Sequence, residues 1–177
     1  MKKRLIIFMA LLAGLLLLFY FVFSKGEFVM ESSSYLDKDA PDNVDQSFYL
    51  GYGLHWEGFG EPVLSRVTVI KNDGTELDEE DGEMTVFAMI DEMGRTGIID
   101  EEAAKNEGYD DHYLPVEAYK VDENFLLVFR AELHDANYEN NISHLLIEYK
   151  KFGFQQKQLL EFEGFFREFH QDKTAQN

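Results

Sequence analysis

The longest apolar run in the chain is Leu5 to Phe23, nineteen residues without a charged side chain. As a helix at about 1.5 Å per residue it reaches roughly 28 Å, the thickness of a hydrocarbon core, and a helix pairs its main-chain amides internally, as lipid requires. Lys2, Lys3 and Arg4 precede the run and only Lys25 follows it closely. The positive-inside rule then puts residues 1–4 in the cytoplasm and the chain after the span outside. A cleaved secretory signal has a shorter apolar region, about 7 to 15 residues, followed by small residues. Here Tyr20, Phe21, Val22 and Phe23 occupy that flank. The expectation is an uncleaved signal-anchor helix over residues 5–23 and a single-pass protein of the cell membrane.

From residue 24 to 45 the chain is polar and aperiodic, with Ser32, Ser33, Ser34, Asp37, Asp39, Pro41, Asp42 and Asn43. Such a composition buries little surface and predicts a flexible tether. From Gln46 short apolar stretches alternate with turn residues, which predicts one extracytoplasmic domain over 46–169 and a disordered tail over 170–177. Candidate strands are Ser47 to Trp56, Val63 to Ile70, Pro115 to Val121, Phe125 to Leu133, His144 to Phe152 and Gln156 to Phe162. Val63, Ser65, Val67 and Val69 alternate with Leu64, Arg66 and Thr68, and Asn72-Asp73-Gly74 follows as a turn. Consecutive strands on short connections predict a mainly β domain with antiparallel pairing, either a β-sandwich, immunoglobulin-like in outline, or a partly open barrel.

Two stretches depart from that rhythm. Val86, Phe87, Met89, Ile90 and Met93 fit helical spacing with Gly94 as terminator, so Met84 to Met93 reads as a helix, although Thr85, Val86 and Phe87 also suit a strand. At the C-terminus Leu159, Phe162, Phe166 and Phe169 fit a helix that Gly164 would break, which predicts a strand running into a short helix. One more short surface helix is expected within Thr96 to Asn106.

Charge and composition then remove whole classes of function. The 34 acidic residues exceed the 16 basic ones, and three of those basic residues precede the apolar run, so the remainder sets 13 basic side chains against 34 acidic. A surface at about −21 repels phosphate backbones, which excludes nucleic acid as a partner. Cysteine is absent, which leaves no disulfide framework, thiolate nucleophile or Cys-based zinc site. With 16 Phe and 9 Tyr the domain fills its core with rings instead.

The most distinctive local feature is the run from Gly51 to Gly60, containing Tyr52, Trp56 and Phe59. Rings beside glycines make a flat platform for a sugar or a peptide edge, and Tyr52, Trp56 and Phe59 are its candidate ligand-binding residues. The same letters describe a strand whose ring positions are core and whose glycines accommodate crowded neighbours. The acidic stretch from Asp73 to Glu83 offers oxygen ligands of the kind Ca²⁺ takes, with Asp78, Glu80 and Asp81 as candidates, though the spacing is not that of an EF-hand. Five scattered histidines show no H-x-H or H-E-x-x-H spacing. There is no G-x-S-x-G elbow and no phosphate-binding loop. A carboxylate pair for hydrolysis depends on tertiary placement, which the spacing leaves open.

The sequence therefore predicts a non-enzymatic, membrane-anchored extracytoplasmic binding module. Its partners are the bilayer through residues 5–23 and a protein or envelope polymer outside. The alternatives are a cell-envelope hydrolase using a carboxylate pair and a Ca²⁺-dependent structural surface domain.

Overall fold

The computed structural model describes residues 2–24, 26–37, 45–77, 82–135 and 138–167. Helix α1 (Lys2–Ser24) is long and apolar enough to cross a membrane, and none of its window from Lys3 to Tyr20 is buried. The rest is mainly β. The strands are β1 (Gly26–Ser32), β2 (Leu36–Asp37), β3 (Ser47–Gly58), β4 (Val63–Lys71), β5 (Met84–Asp91), β6 (Ile98–Asp100), β7 (Tyr113–Pro115), β8 (Asn124–Leu133), β9 (Ile142–Lys151), β10 (Phe154–Glu161) and β11 (Phe166–Arg167). A short helix α2 (Glu101–Asn106) follows β6.

Two open antiparallel sheets carry the architecture. The larger runs β1-β3-β8-β5-β7, with β6 also on β3, and the smaller runs β10-β9-β4. A two-residue parallel pair joins β2 to β11. Strand β3 shows why the sequence folds this way. Leu50, Tyr52, Leu54 and Trp56 recur at period two and face the core, while Gly51 and Gly53 occupy the opposite face. A side chain at Gly51 would collide with the carbonyl of Thr96, which lies over that face, and the Gly51 amide donates to the Gly97 carbonyl at 2.8 Å.

One hydrophobic core lies between the two sheets. It joins Phe28, Leu50, Tyr52, Trp56, Val86, Leu127 and Phe129 of the larger sheet to Leu64, Val69, Leu145, Ile147 and Tyr149 of the smaller. Phe28 meets Trp56 at 4.9 Å and Tyr149 at 5.1 Å between ring centroids, so aromatic contacts cross the interlayer space directly. A second cluster of Tyr49, Ala104 and Val128 sits on the outer face of the larger sheet, under the segment that contains α2.

Four expectations change. Met84 to Met93 is a strand and a turn, not a helix. Met84, Val86 and Ile90 face the main core while Met89 packs in the second cluster, so burial on both faces imitates helical spacing. The proposed tether contains β1, whose register with β3 runs from Gly26 opposite Gly58 to Met30 opposite Leu54, and β2. Phe28 is buried to 1% exposure there, which local composition does not reveal. Of Pro115 to Val121, only Pro115 lies in a strand and Lys120 in a single bridge to Val63, because Ala118 takes a positive φ of 65° and turns the chain. After β10, Phe162, Phe165 and Phe166 are buried through an extended turn at Gly164 and β11, with no helix among the described residues. Residues 38–44 of the tether and the 170–177 tail lie outside the described residues.

Candidate functional site

The two sheets are held together differently at their two sides. On one side the edge strands β1 and β10 meet, and the Gln158 amide spans them. It accepts from the Phe28 amide at 2.7 Å and donates to the Phe28 carbonyl at 2.7 Å, occupying the place of a neighbouring strand. On the other side, between β4 and β5, lies a cleft of about 520 Å³. Its apolar lining comes from Val67, Val69, Leu77, Val86, Val116 and Phe129, and its polar lining from Arg66, Thr68 and Glu117. This size falls within the range of about 300–1,000 Å³ usual for ligand sites.

Among the described residues, the main chain beside the cleft is open. Strand β4 pairs with β9 on one edge only. On its other edge Leu64 bonds to Tyr119 and Ala118, and Val69 and Lys71 accept from and donate to the turn at Thr75 to Leu77. Between these covered ends, the alternation puts the N–H and C=O of Val67 on the same edge, where they meet no partner among the described residues. Across the cleft, β7 covers β5 only from Met89 to Asp91, leaving Met84 to Ala88 without a strand on that side among the described residues. Thr68 adds a further unmet group. It is 6% exposed, and its hydroxyl has no hydrogen-bond partner among the described residues.

The aromatic platform is not assembled. Tyr52 is fully buried and donates its hydroxyl to the Ser34 carbonyl at 2.7 Å, so burial pushes its pKa well above the usual phenol range. Trp56 is buried beneath Gly26 and Gly58, where any side chain would strike its ring. Phe59 is 62% exposed and stacks on Phe152 at 6.0 Å. The three candidates therefore do not share a surface. Asp78, Glu80 and Asp81 lie outside the described residues. Of their acidic neighbours, Asp73 accepts from the Thr75 amide and hydroxyl, which hold its pKa below the usual carboxylate value, and Glu76 pairs with Arg66 at 2.9 Å. Among the described residues, no group of three or more His, Asp or Glu side chains is placed to hold a metal ion.

Comparison with protein-family models, curated proteins and solved structures finds no match.

The charged clusters elsewhere are built into the scaffold. Asp91 is 5% exposed; burial alone would raise its pKa, but it accepts from the amides of Met93, Arg95 and Thr96 and from the Thr96 hydroxyl, and these bonds lower it. It thereby fixes the turn after β5. Glu101 pairs with Lys105 at 2.8 Å and with Arg130 at 2.9 Å, and Arg130 reaches Glu132 at 3.2 Å, which pins α2 to β8. The Lys105 bond leads the causes that hold Glu101 down to about 2. Among the described residues, the cleft lining contains one carboxylate, Glu117. Sequence reasoning missed the cleft because its residues come from β4, β5, β7, β8 and two connections. The one local sign was Thr68, a polar residue set between Val67 and the apolar pair Val69 and Ile70.

Proposed function

We propose that the protein is a membrane-anchored, extracytoplasmic binding module that receives an extended segment of a partner protein in the cleft between β4 and β5. The observation that carries this reading is the Val67 edge and the Thr68 hydroxyl, both without a partner among the described residues, beside an apolar floor. A segment pairing with β4 would add a fourth strand to the smaller sheet, satisfy the Val67 main chain and place alternate side chains over Val69, Val86 and Phe129. Burial of Tyr52 and Trp56 removes two rings of the expected platform, and the strand edge beside the cleft suits a peptide main chain, which favours a protein partner.

The strand order supports an immunoglobulin-like sandwich as the scaffold. Lettered A to G along the chain, the seven long strands β1, β3, β4, β5, β8, β9 and β10 give sheets A-B-E-D and G-F-C, the order of constant-type immunoglobulin domains. Helix α1 and the basic Lys2, Lys3 and Arg4 before it support an anchor with its N-terminus in the cytoplasm and the acidic domain outside. That acidity favours partners with basic flanks, through faster encounter.

The test is selection of ten-residue peptides on the full chain in lipid nanodiscs, followed by Val67→Pro. Proline on an edge strand removes one outward N–H and leaves the pairing with β9 intact. Enriched peptides should alternate apolar and polar residues, and Val67→Pro should abolish their binding while the melting temperature holds. Binding untouched by Val67→Pro would refute the site.

A further inference from the structure

Among the described residues, four phenylalanines outside α1 are exposed, and three of them share one end of the domain. Phe59 follows the last residue of β3, and Phe152 and Phe154 flank the β9–β10 hairpin turn, where Phe152 and Gly153 both take positive φ, 52° and 83°. They are 62%, 44% and 73% exposed, and Phe59 stacks on Phe152. Beside them Gly58 pairs with Gly26, the first residue of β1. Helix α1 ends at Ser24. Two peptide units separate Ser24 from Gly26, so their Cα atoms are at most about 7 Å apart. Whatever the angle between helix and domain, the end that carries the three rings is the end at which the chain leaves α1.

We propose that Phe59, Phe152 and Phe154 form an apolar foot that seats on the bilayer surface next to the anchor, so that the domain stands on the membrane instead of hanging from a tether. This rests on the reading of α1 as a transmembrane anchor. Rings at the boundary of headgroups and acyl chains bury apolar surface that would otherwise face water. The occupant is the bilayer, because the covalent path from α1 brings it to this end, and no more distant partner reaches it first. The attraction is apolar. A domain with this excess of acid is repelled by anionic headgroups, so seating is expected to weaken as anionic lipid is added. With the foot seated, Asp73, beyond the opposite end of β4, points away from the membrane, because Val63 pairs with Lys150 near the foot and Lys71 with Ile142 at the far end.

The chain lacks cysteine, so single cysteines carry an environment-sensitive fluorophore cleanly. Full-length Leu12→Cys, Phe154→Cys, Gln155→Cys and Asp73→Cys, each labelled, are placed in phosphatidylcholine nanodiscs containing spin-labelled lipids as depth-graded quenchers. The expected result is quenching of Leu12 by the bilayer-centre quencher, quenching of Phe154 and Gln155 by the interfacial quencher several-fold above Asp73, and loss of the Gln155 signal when Phe59→Ser and Phe154→Ser are added. Quenched Leu12 with Phe154 and Gln155 no more quenched than Asp73 overturns the foot alone. Unquenched Leu12 overturns the anchor, and the foot with it.

Discussion

Gln158 holds Phe28 by both main-chain groups, accepting from its N–H and donating to its C=O at 2.7 Å each. One side chain thus closes the β1/β10 side of the two-sheet core, where no strand is available to do so. Gln158→Ala leaves a partly buried amide and carbonyl unpaired, and the expected loss is about 1–3 kcal/mol. For a chain of this size that lowers the melting temperature by about 2–4 °C per kcal/mol, measured by calorimetry or circular dichroism. An unchanged melting temperature would show that water replaces the amide without loss.

Trp56→Ala is the corresponding test of the core. The ring packs on Phe28 and on Tyr149 at 5.5 Å, and the Lys151 ammonium lies 5.0 Å from its centroid. Its removal should cost about 3–5 kcal/mol, enough to unfold a domain of ordinary stability. A variant melting within a degree or two of the parent would contradict the burial of this segment.

Acid sensitivity follows from Glu101. Its pKa is held at about 2 in the fold against a usual value of 4.5, so the stabilisation is complete above about 4.5 and is lost as pH falls toward 2. Because the carboxylate is partly solvent-exposed, its contribution is about 1 kcal/mol at most. Glu101→Gln should therefore melt slightly below the parent at pH 7, and the two curves should converge near pH 2. A constant gap across that range would mean that Glu101 acts through packing instead of charge.

Much of the β scaffold was legible along the chain. Strands β3, β4, β8, β9 and β10 show period-two alternation because one face of each meets the shared core and the other meets solvent or a thin cover. Strand β5 hides its period because Met89 is buried under the α2 segment while Val86 and Ile90 are buried in the main core. Strand β1 hides because its stability comes from pairing with β3 and from Gln158, both distant in sequence. The cleft was invisible for the same reason. An open edge is a statement about which strands fail to meet, and no local pattern encodes that.

Thr68→Val separates a binding role from a structural one. The buried hydroxyl has no partner among the described residues, so an isosteric methyl should leave stability unchanged or raise it by about 1 kcal/mol. If the hydroxyl serves a ligand, the same variant should bind selected peptides more weakly. Reduced stability would instead reveal a structural bond to this hydroxyl.

The central claim is that β4 accepts a strand along the Val67 edge, and amide hydrogen exchange reads it directly. Full-length protein in nanodiscs is compared alone and with a selected peptide. The account predicts that the outward amide of Val67 exchanges fast in the free protein while the β4 amides bonded to β9 stay protected, and that peptide slows the Val67 amide by at least tenfold. Protection confined to another surface, or a β4 edge already protected without peptide, would contradict it.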